Sequence, residues 1–323
     1  MHGDKGNKNI LIFAAMKISR RTFLGVSAAS LLAATGESIE AKIPKILKSE
    51  KNGDALKIKF LGTGSAGGRG KNGLGRRHSS ILVDDGFLID FTAESGDMIP
   101  EGVHPEIIFY THSHKDHFNA ADAIALGIKK VYLSHTWYDI AVKAFKDAAK
   151  KAGAQAPDIT PVYPGTPVMV HGVSVLPLWA NHPTEYAMEE AQIYLLEKGG
   201  VHLLYATDTS GIPGRSARMI GIDSHYPGYG ITALIMEATM GIGHDTDFRI
   251  FCHSSVAMVE RTVSVLLNTK RLHLAPGEKV YITHMSKSLH GTQAELDATL
   301  PAPLQAAHDG LEVVFTAPEE QTA

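Results

Sequence analysis

Short apolar runs separated by polar or glycine-rich breaks recur along the chain, and the period within each run predicts its element. Ile58-Lys59-Phe60-Leu61 alternates as a half-buried strand does and runs into the glycine-rich stretch Gly62 to Gly68. Ser79 to Val83 and Phe87 to Asp90 flank Asp84-Asp85-Gly86 and read as a hairpin. Ile107-Ile108-Phe109-Tyr110 is the next strand. A short helix over Ala120 to Leu126, a strand over Val131 to Ser134 and a longer amphipathic helix over Tyr138 to Ala152 follow. The pattern then turns to strands at Val168 to Val170, Val173 to Leu178, Ala191 to Leu196 and His202 to Ala206, bounded by Gly, Pro and Asn. Ile231 to Met236 and Val280 to Ile282 read as buried strands, with a helix at Val256 to Leu267 between them. A helix near Ala294 to Leu300 precedes the last strand, Leu311 to Phe315. Hairpins mixed with interspersed helices predict an α/β fold in which two β-sheets pack together and helices lie outside.

Composition adds bounds to this outline. With 323 residues, 44% apolar and 20% charged, the chain can bury a sizeable core as one or two domains. A net charge of -3 gives no basic footprint, so no nucleic-acid partner is expected. The single cysteine, Cys252, excludes an intramolecular disulfide framework and reads as a buried strand residue.

The N-terminus has a different character. Ser19-Arg20-Arg21-Thr22-Phe23-Leu24 precedes the mildly apolar run Gly25 to Ala34, which resembles a twin-arginine export signal. Residues 1–41 are read as that signal, with Met16 a candidate true start and cleavage open between Gly36 and Ala41. The apolar run is too short for a stable membrane anchor. Residues 42–55 read as a polar linker and 56–323 as the folded body. The expectation is a periplasmic or otherwise extracytoplasmic protein that engages the twin-arginine export machinery, and a lone cysteine suits a chain that needs no oxidative folding.

The chemistry gathers after the strand Ile107 to Tyr110, in Thr111-His112-Ser113-His114-Lys115-Asp116-His117. Three imidazoles and a carboxylate in six positions form a set of borderline ligands suited to zinc, manganese or iron. In extended chain His112 and His114 point to one side, while Asp116 and His117 come off the following turn, so one segment can serve two adjacent ions. Later apolar runs end in single ligand candidates: His182, Asp208 and His284. Their recurrence places them on one rim of the sheets.

These motifs, with Phe60-Leu61-Gly62-Thr63-Gly64-Ser65, Tyr205 to Thr209, Glu237-Ala238-Thr239 and His253-Ser254-Ser255, resemble the metallo-beta-lactamase-fold hydrolases. The branch nearest in pattern is ribonuclease Z and the cyclic phosphodiesterases of phosphonate breakdown. The resemblance covers nearly the whole body from Leu56. It implies an αβ/βα sandwich and two divalent metal ions, zinc foremost, with manganese and iron as alternatives. One ion would take His112, His114 and His182, the other Asp116, His117 and His284, with Asp208 and a water or hydroxide bridging. Asp116, Glu237 and His253 would be catalytic, His253 as a proton donor steered by Glu237. Met236 stands where the family has a histidine before that glutamate.

Transfer-RNA-processing members insert a long arm between the third histidine and the bridging aspartate, whereas only a hairpin's length separates His182 from Asp208. A small anionic ester, foremost a phosphodiester, is therefore the expected substrate, with Arg215 and Arg218, and Lys287 and His290, as candidates to contact it. The alternatives are a lactone, beta-lactam or aryl-sulfate hydrolase, and a non-hydrolytic metal-binding accessory protein. Relatives with this motif set suggest a homodimer.

Overall fold

The computed structural model describes residues 55–66, 75–223 and 230–318, which lie in one compact unit. Residues 1–41, read as an export signal, and the residues read as linker up to Asp54 lie outside the described residues. Among the described residues no helix is long and apolar enough to cross a membrane.

Two mixed sheets of seven strands face each other. The first contains β1 (Leu56–Gly62), β2 (Ser80–Val83), β3 (Phe87–Ile89), β4 (Ile107–Phe109), β5 (Lys130–Ser134), β6 (Asp158–Val162) and β14 (Glu312–Phe315), in the order β14-β1-β2-β3-β4-β5-β6. The second contains β7 (Val168–Val170), β8 (Val173–Trp179), β9 (Gln192–Lys198), β10 (Val201–Ala206), β11 (Ala233–Glu237), β12 (Val280–Thr283) and β13 (Leu304–Ala306), in the order β13-β12-β11-β10-β9-β8-β7. Both follow one rule. Strands β14-β1-β2-β3 and β7-β8-β9-β10 pair antiparallel, and strands β3-β4-β5-β6 and β10-β11-β12-β13 pair parallel. Parallel strands discharge their C-terminal ends on one side, which is where open α/β sheets place ligands.

The period-two alternation sorts each strand between layers. On β10, Leu203 and Tyr205 pack between the sheets with Ile58, Phe60, Tyr194 and Ile235. Leu204 and Ala206 face outward, against Val256, Val259, Val263 and Leu266 of α4 (Val256–Asn268). The outer face of the first sheet is covered by α1 (Ala120–Leu126) and α2 (Tyr138–Ala152), through Ala123, Ala141 and Phe145. Capping explains where these helices begin and end. Asn119 accepts from the backbone of Ala121 and Asp122 to start α1, Ser255 accepts from Met258 to start α4, and Gly127 and Gly153 close α1 and α2 at positive φ.

Expected and observed elements differ in several places. The strand read at Ile231 begins at Ala233, because Ile231 forms only an isolated bridge to Leu272. Strand β6 was not expected, since Pro161 interrupts the pattern, yet an edge strand tolerates a residue without an N–H. Strand β13 and the helices α3 (Gly214–Met219) and α5 (Gln293–Thr299) complete the fold, and of these only α5 was expected. The glycine-rich stretch has a packing role in its described part. A Cβ on Gly62 would lie 1.9 Å from the His78 carbonyl oxygen, so only glycine allows β1 to approach that backbone so closely.

One buried acid lies far from the strand ends that carry the ligand candidates. Glu197 is 5% exposed, takes the Ser174 hydroxyl at 3.2 Å, and leaves Oε1 without a hydrogen-bond partner. Burial pushes its pKa from 4.5 up to about 7. A carboxyl raised on folding stabilises below its unfolded pKa, and that contribution is lost as pH rises through the folded value. Between about pH 4.5 and pH 7 the wild type should therefore lose up to about 3 kcal/mol relative to Glu197→Gln. Thermal midpoints measured across that window test this; parallel pH profiles for the two proteins would refute it.

Candidate metal centre

Every predicted ligand lies at a C-terminal strand end of the rim. The segment after β4 carries His112, His114, Asp116 and His117; Asp208 follows β10; His284 follows β12; His182 follows β8. The ligating atoms of His112, His114 and His182 lie within 4.8 Å of one another, as do those of Asp116, His117 and His284, and those of His112, His117 and Asp208. Asp208 sits between the groups. Its Oδ2 is 2.8 Å from His117 and 3.2 Å from His284, and its Oδ1 is 3.7 Å from His182.

A residue that sequence reasoning missed organises the segment after β4. Asp90 is fully buried and accepts from the Thr111 backbone N–H at 2.8 Å, the Thr111 hydroxyl at 2.7 Å and His117 Nδ1 at 2.8 Å. It read as the end of a hairpin strand. The available signal was topological: Asp90 follows β3 as Asp208 follows β10, each at the strand where its sheet turns parallel. Both adopt the left-handed backbone region, with φ 58° and 45°, and His284 does so at 52°. Each side chain thereby turns from its strand into the rim.

The hydrogen bonds fix which ring nitrogens face inward. The Thr111 hydroxyl donates to Asp90, so it accepts from His112 Nδ1 at 2.9 Å, and the His112 Nε2 lone pair is left buried with no partner. His182 Nδ1 donates to the Cys252 carbonyl at 3.0 Å and His284 Nδ1 to the Thr239 hydroxyl at 2.9 Å. Their Nε2 atoms then face His114 Nδ1 at 3.1 Å and His117 Nε2 at 3.2 Å respectively. Two nitrogens bound at about 2.0–2.1 Å to one tetrahedral ion stand roughly 3.3 Å apart, so these spacings suit metal ligands.

Charge makes the same demand. Burial lowers the pKa values of His112, His114 and His182, which favours neutral imidazoles. Burial also opposes a charge on His117, but Asp208, Asp116 and Asp90 outweigh it and hold that pKa well above its ordinary value. Burial would raise Asp208, yet His284, His117 and His182 hold it well below the usual carboxylate range. The space between these groups calls for positive charge, which a proton on His117 or a divalent cation supplies. An orphaned buried lone pair, inward-facing nitrogens and surplus carboxylates together fit a metal pair.

Glu237 and His253 meet beside this set. Glu237 is fully buried, accepting from Thr209 N at 2.7 Å and from the Thr239 hydroxyl, and its two oxygens lie 3.1 and 3.2 Å from His253 Nδ1. Burial disfavours a charged His253, but Glu237, Asp208 and Asp116 prevail and push its pKa up to about 9. Met236 packs in the outward-facing core with Leu234 and Ile282, on the opposite face of β11 from Glu237, so it leaves this contact untouched. Cys252 is not in a strand: it is half-buried after the short 3-10 turn Phe248–Phe251. Of the basic candidates, Arg218 turns outward to Asp223 at 3.1 Å, and His290 is committed to the Ala238 carbonyl at 2.7 Å. Arg215 lies on the rim of the cleft beside His182, paired with Glu190 at 3.4 Å.

An αββα sandwich with imidazoles and carboxylates converging at its strand ends defines a class of metal-site folds. A family model described as the beta-lactamase superfamily domain matches residues 89–285, from β3 to just past His284, and the chain belongs to that family as a metallo-beta-lactamase-fold hydrolase. A comparison with curated proteins gives no match. Among solved structures it is similar to a diphosphatase from the PhnP family, with 22% identity, 82% of this chain and 99% of that chain covered, and a TM-score of 0.56. Zn2+-bound PqqB from Methylobacterium extorquens (16%, 80% and 99%, 0.57) and the short form of human tRNase Z (14%, 80% and 98%, 0.55) share the fold.

Replacing Asp90 by Ala would strand three donors, on Thr111 and His117, in a dry interior. At about 1–3 kcal/mol for each unsatisfied group, Asp90→Ala should lower stability by at least about 3 kcal/mol, with Asp90→Asn intermediate. Denaturant unfolding measures this, and a loss under about 1 kcal/mol would contradict the role.

Proposed function

We propose that this protein is an exported dinuclear metal hydrolase of phosphodiesters or related small anionic esters. The observation that carries the reading is the buried Glu237 carboxylate fastened to His253 beside the metal-ligand set. His112, His114 and His182 would hold one ion, Asp116, His117 and His284 the other, and Asp208 would reach both through its two oxygens. Imidazole with carboxylate suits zinc, which PqqB of the same fold binds, while manganese and iron are also compatible. Two such ions, when bound, supply a nucleophilic water at neutral pH and offset charge on the substrate oxygens.

The chain's own residues provide the rest. Glu237 takes the Nδ1 edge of His253, fixing the ring, so the proton delivered to a departing oxygen comes from Nε2. Thr239 ties the parts together, bonding Glu237 and accepting from His284 Nδ1. Asp90 holds His117 in the orientation that turns Nε2 inward. A lactone opens without releasing a separate leaving group, so the Glu237–His253 pair favours the phosphodiester reading. A segment of only twenty-five residues or so, much of it the β9–β10 hairpin, lies between His182 and Asp208, which supports a small substrate. The Arg20-Arg21 motif supports export.

Purified protein should contain two metal equivalents by elemental analysis and turn over bis(4-nitrophenyl) phosphate faster than lactone or aryl-sulfate panels, with chelation abolishing turnover. Two equivalents without phosphodiester turnover would refute the reading. His253→Ala should keep its metal and lose about 10²–10⁴-fold on alkyl leaving groups, but far less on 4-nitrophenolate, which departs without a proton. Equal losses on both would remove His253 from the donor role.

A further inference from the structure

Next to His182 the rim opens into a cleft of about 610 Å³. One wall carries Phe248, Phe251 and Cys252 of the turn Phe248–Phe251 and its end, and the other Pro183, Glu189, Glu190, Ala191 and Arg215. Phe248 and Phe251 are 78% and 82% exposed. Single exposed apolar side chains are ordinary, but here two aromatic rings of one turn line a cleft that also contains a metal-ligand candidate.

The exposed rings stand on a fixed base. Asp247 accepts from the Arg249 backbone at 2.9 Å and pairs with its guanidinium at 2.7 Å. Ser210 donates to the Ile250 carbonyl, and His182 donates to the Cys252 carbonyl at 3.0 Å. The opposite wall is tied to the same metal segment, because Glu189 accepts from the Ser113 N–H at 2.8 Å and from its hydroxyl. Both walls are therefore held in register with the histidines.

The cleft's charged groups are each already engaged. Glu190 accepts from Trp179 Nε1 at 3.1 Å and pairs with Arg215, whose guanidinium lies over the Trp179 ring at 4.3 Å. Glu189 is occupied by Ser113. What the cleft offers a ligand is therefore aromatic surface with little net charge, which suits a flat apolar group. The His253 ring lies 4.7 Å from that of His182, which lines the cleft, so a group leaving from beside His253 has the cleft next to it.

We propose that the cleft is the leaving-group subsite, taking an aryl or similarly flat apolar alcohol, and that Phe248 and Phe251 are its specificity-determining residues. This rests on the phosphodiester reading above. In the reaction it would serve, a water oxygen bonds to phosphorus, the bond from phosphorus to the aryl oxygen breaks, and the products are a phenol and a phosphate monoester.

The test uses the full metal-loaded chain and two diesters that differ only in the leaving group, methyl 4-nitrophenyl phosphate and methyl 2,2,2-trifluoroethyl phosphate. Phe248→Ala and Phe251→Ala should each lower kcat/KM about tenfold on the aryl substrate, mainly through KM, and less than twofold on the fluoroalkyl one. Phe→Trp at either position should retain the aryl preference. Equal losses on both substrates, or no loss on the aryl one, would overturn the proposal. A second readout does not need turnover. Wild type should bind phenylphosphonate more tightly than methylphosphonate by calorimetry, and the double alanine variant should lose that preference. Equal binding of both by wild type overturns the subsite. A phenyl preference without hydrolysis of either diester leaves the subsite standing and overturns the reaction instead.

Discussion

Four carboxylates, Asp90, Asp116, Asp208 and Glu237, are buried along one rim of the sandwich, and the local structure is an answer to that crowding. Isolated ionised carboxylates cannot be taken out of water without large penalties, so each must find donors or cations. Asp90 and Glu237 find theirs in the protein: backbone N–H groups, threonine hydroxyls and one imidazole edge each. Asp116 and Asp208 face imidazole Nε2 atoms. The division is informative. The first pair is satisfied by backbone and side-chain donors and sets orientation, while the second pair has only imidazole edges to offset it, which is where a cation fits.

Much of this was legible in the sequence because the signal was repetitive. An apolar run soon followed by a ligand candidate occurs at Thr111 to His117, at His182, at Asp208 and at His284, and a chain rarely arranges that unless the ends meet. The two-sheet fold followed from strand and helix periods. What stayed hidden depends on three-dimensional choices that periodicity does not encode. Asp90 looked like a hairpin residue because its meaning lies in its equivalence to Asp208 across two sheets. Cys252 looked like a strand residue because its apolar neighbours Ile250 and Phe251 carry no sign that they belong to a 3-10 turn. Strand β6 was concealed by Pro161, and the harmlessness of Met236 could be seen only once alternation on β11 placed it away from Glu237.

The same topology separates kinds of work. The parallel strand ends supply groups whose positions are fixed by burial and by hydrogen bonds to the backbone. The turn Phe248–Phe251 and the segment before β9 supply exposed side chains whose identities are not constrained by packing. Asp247, Ser210 and His182 hold the turn largely through backbone atoms of Arg249, Ile250 and Cys252.

That manner of anchoring bears on how such a protein can change over generations. Exchanges at 248 and 251 alter the lining of the cleft without touching a core contact, so they escape the stability losses that constrain most substitutions. Residues such as Thr239, whose one hydroxyl serves Glu237 and His284 together, have no comparable freedom. A lineage carrying this architecture can therefore vary the lining of the cleft while inheriting the rim intact, and divergence should be read first at the turn and last at the rim.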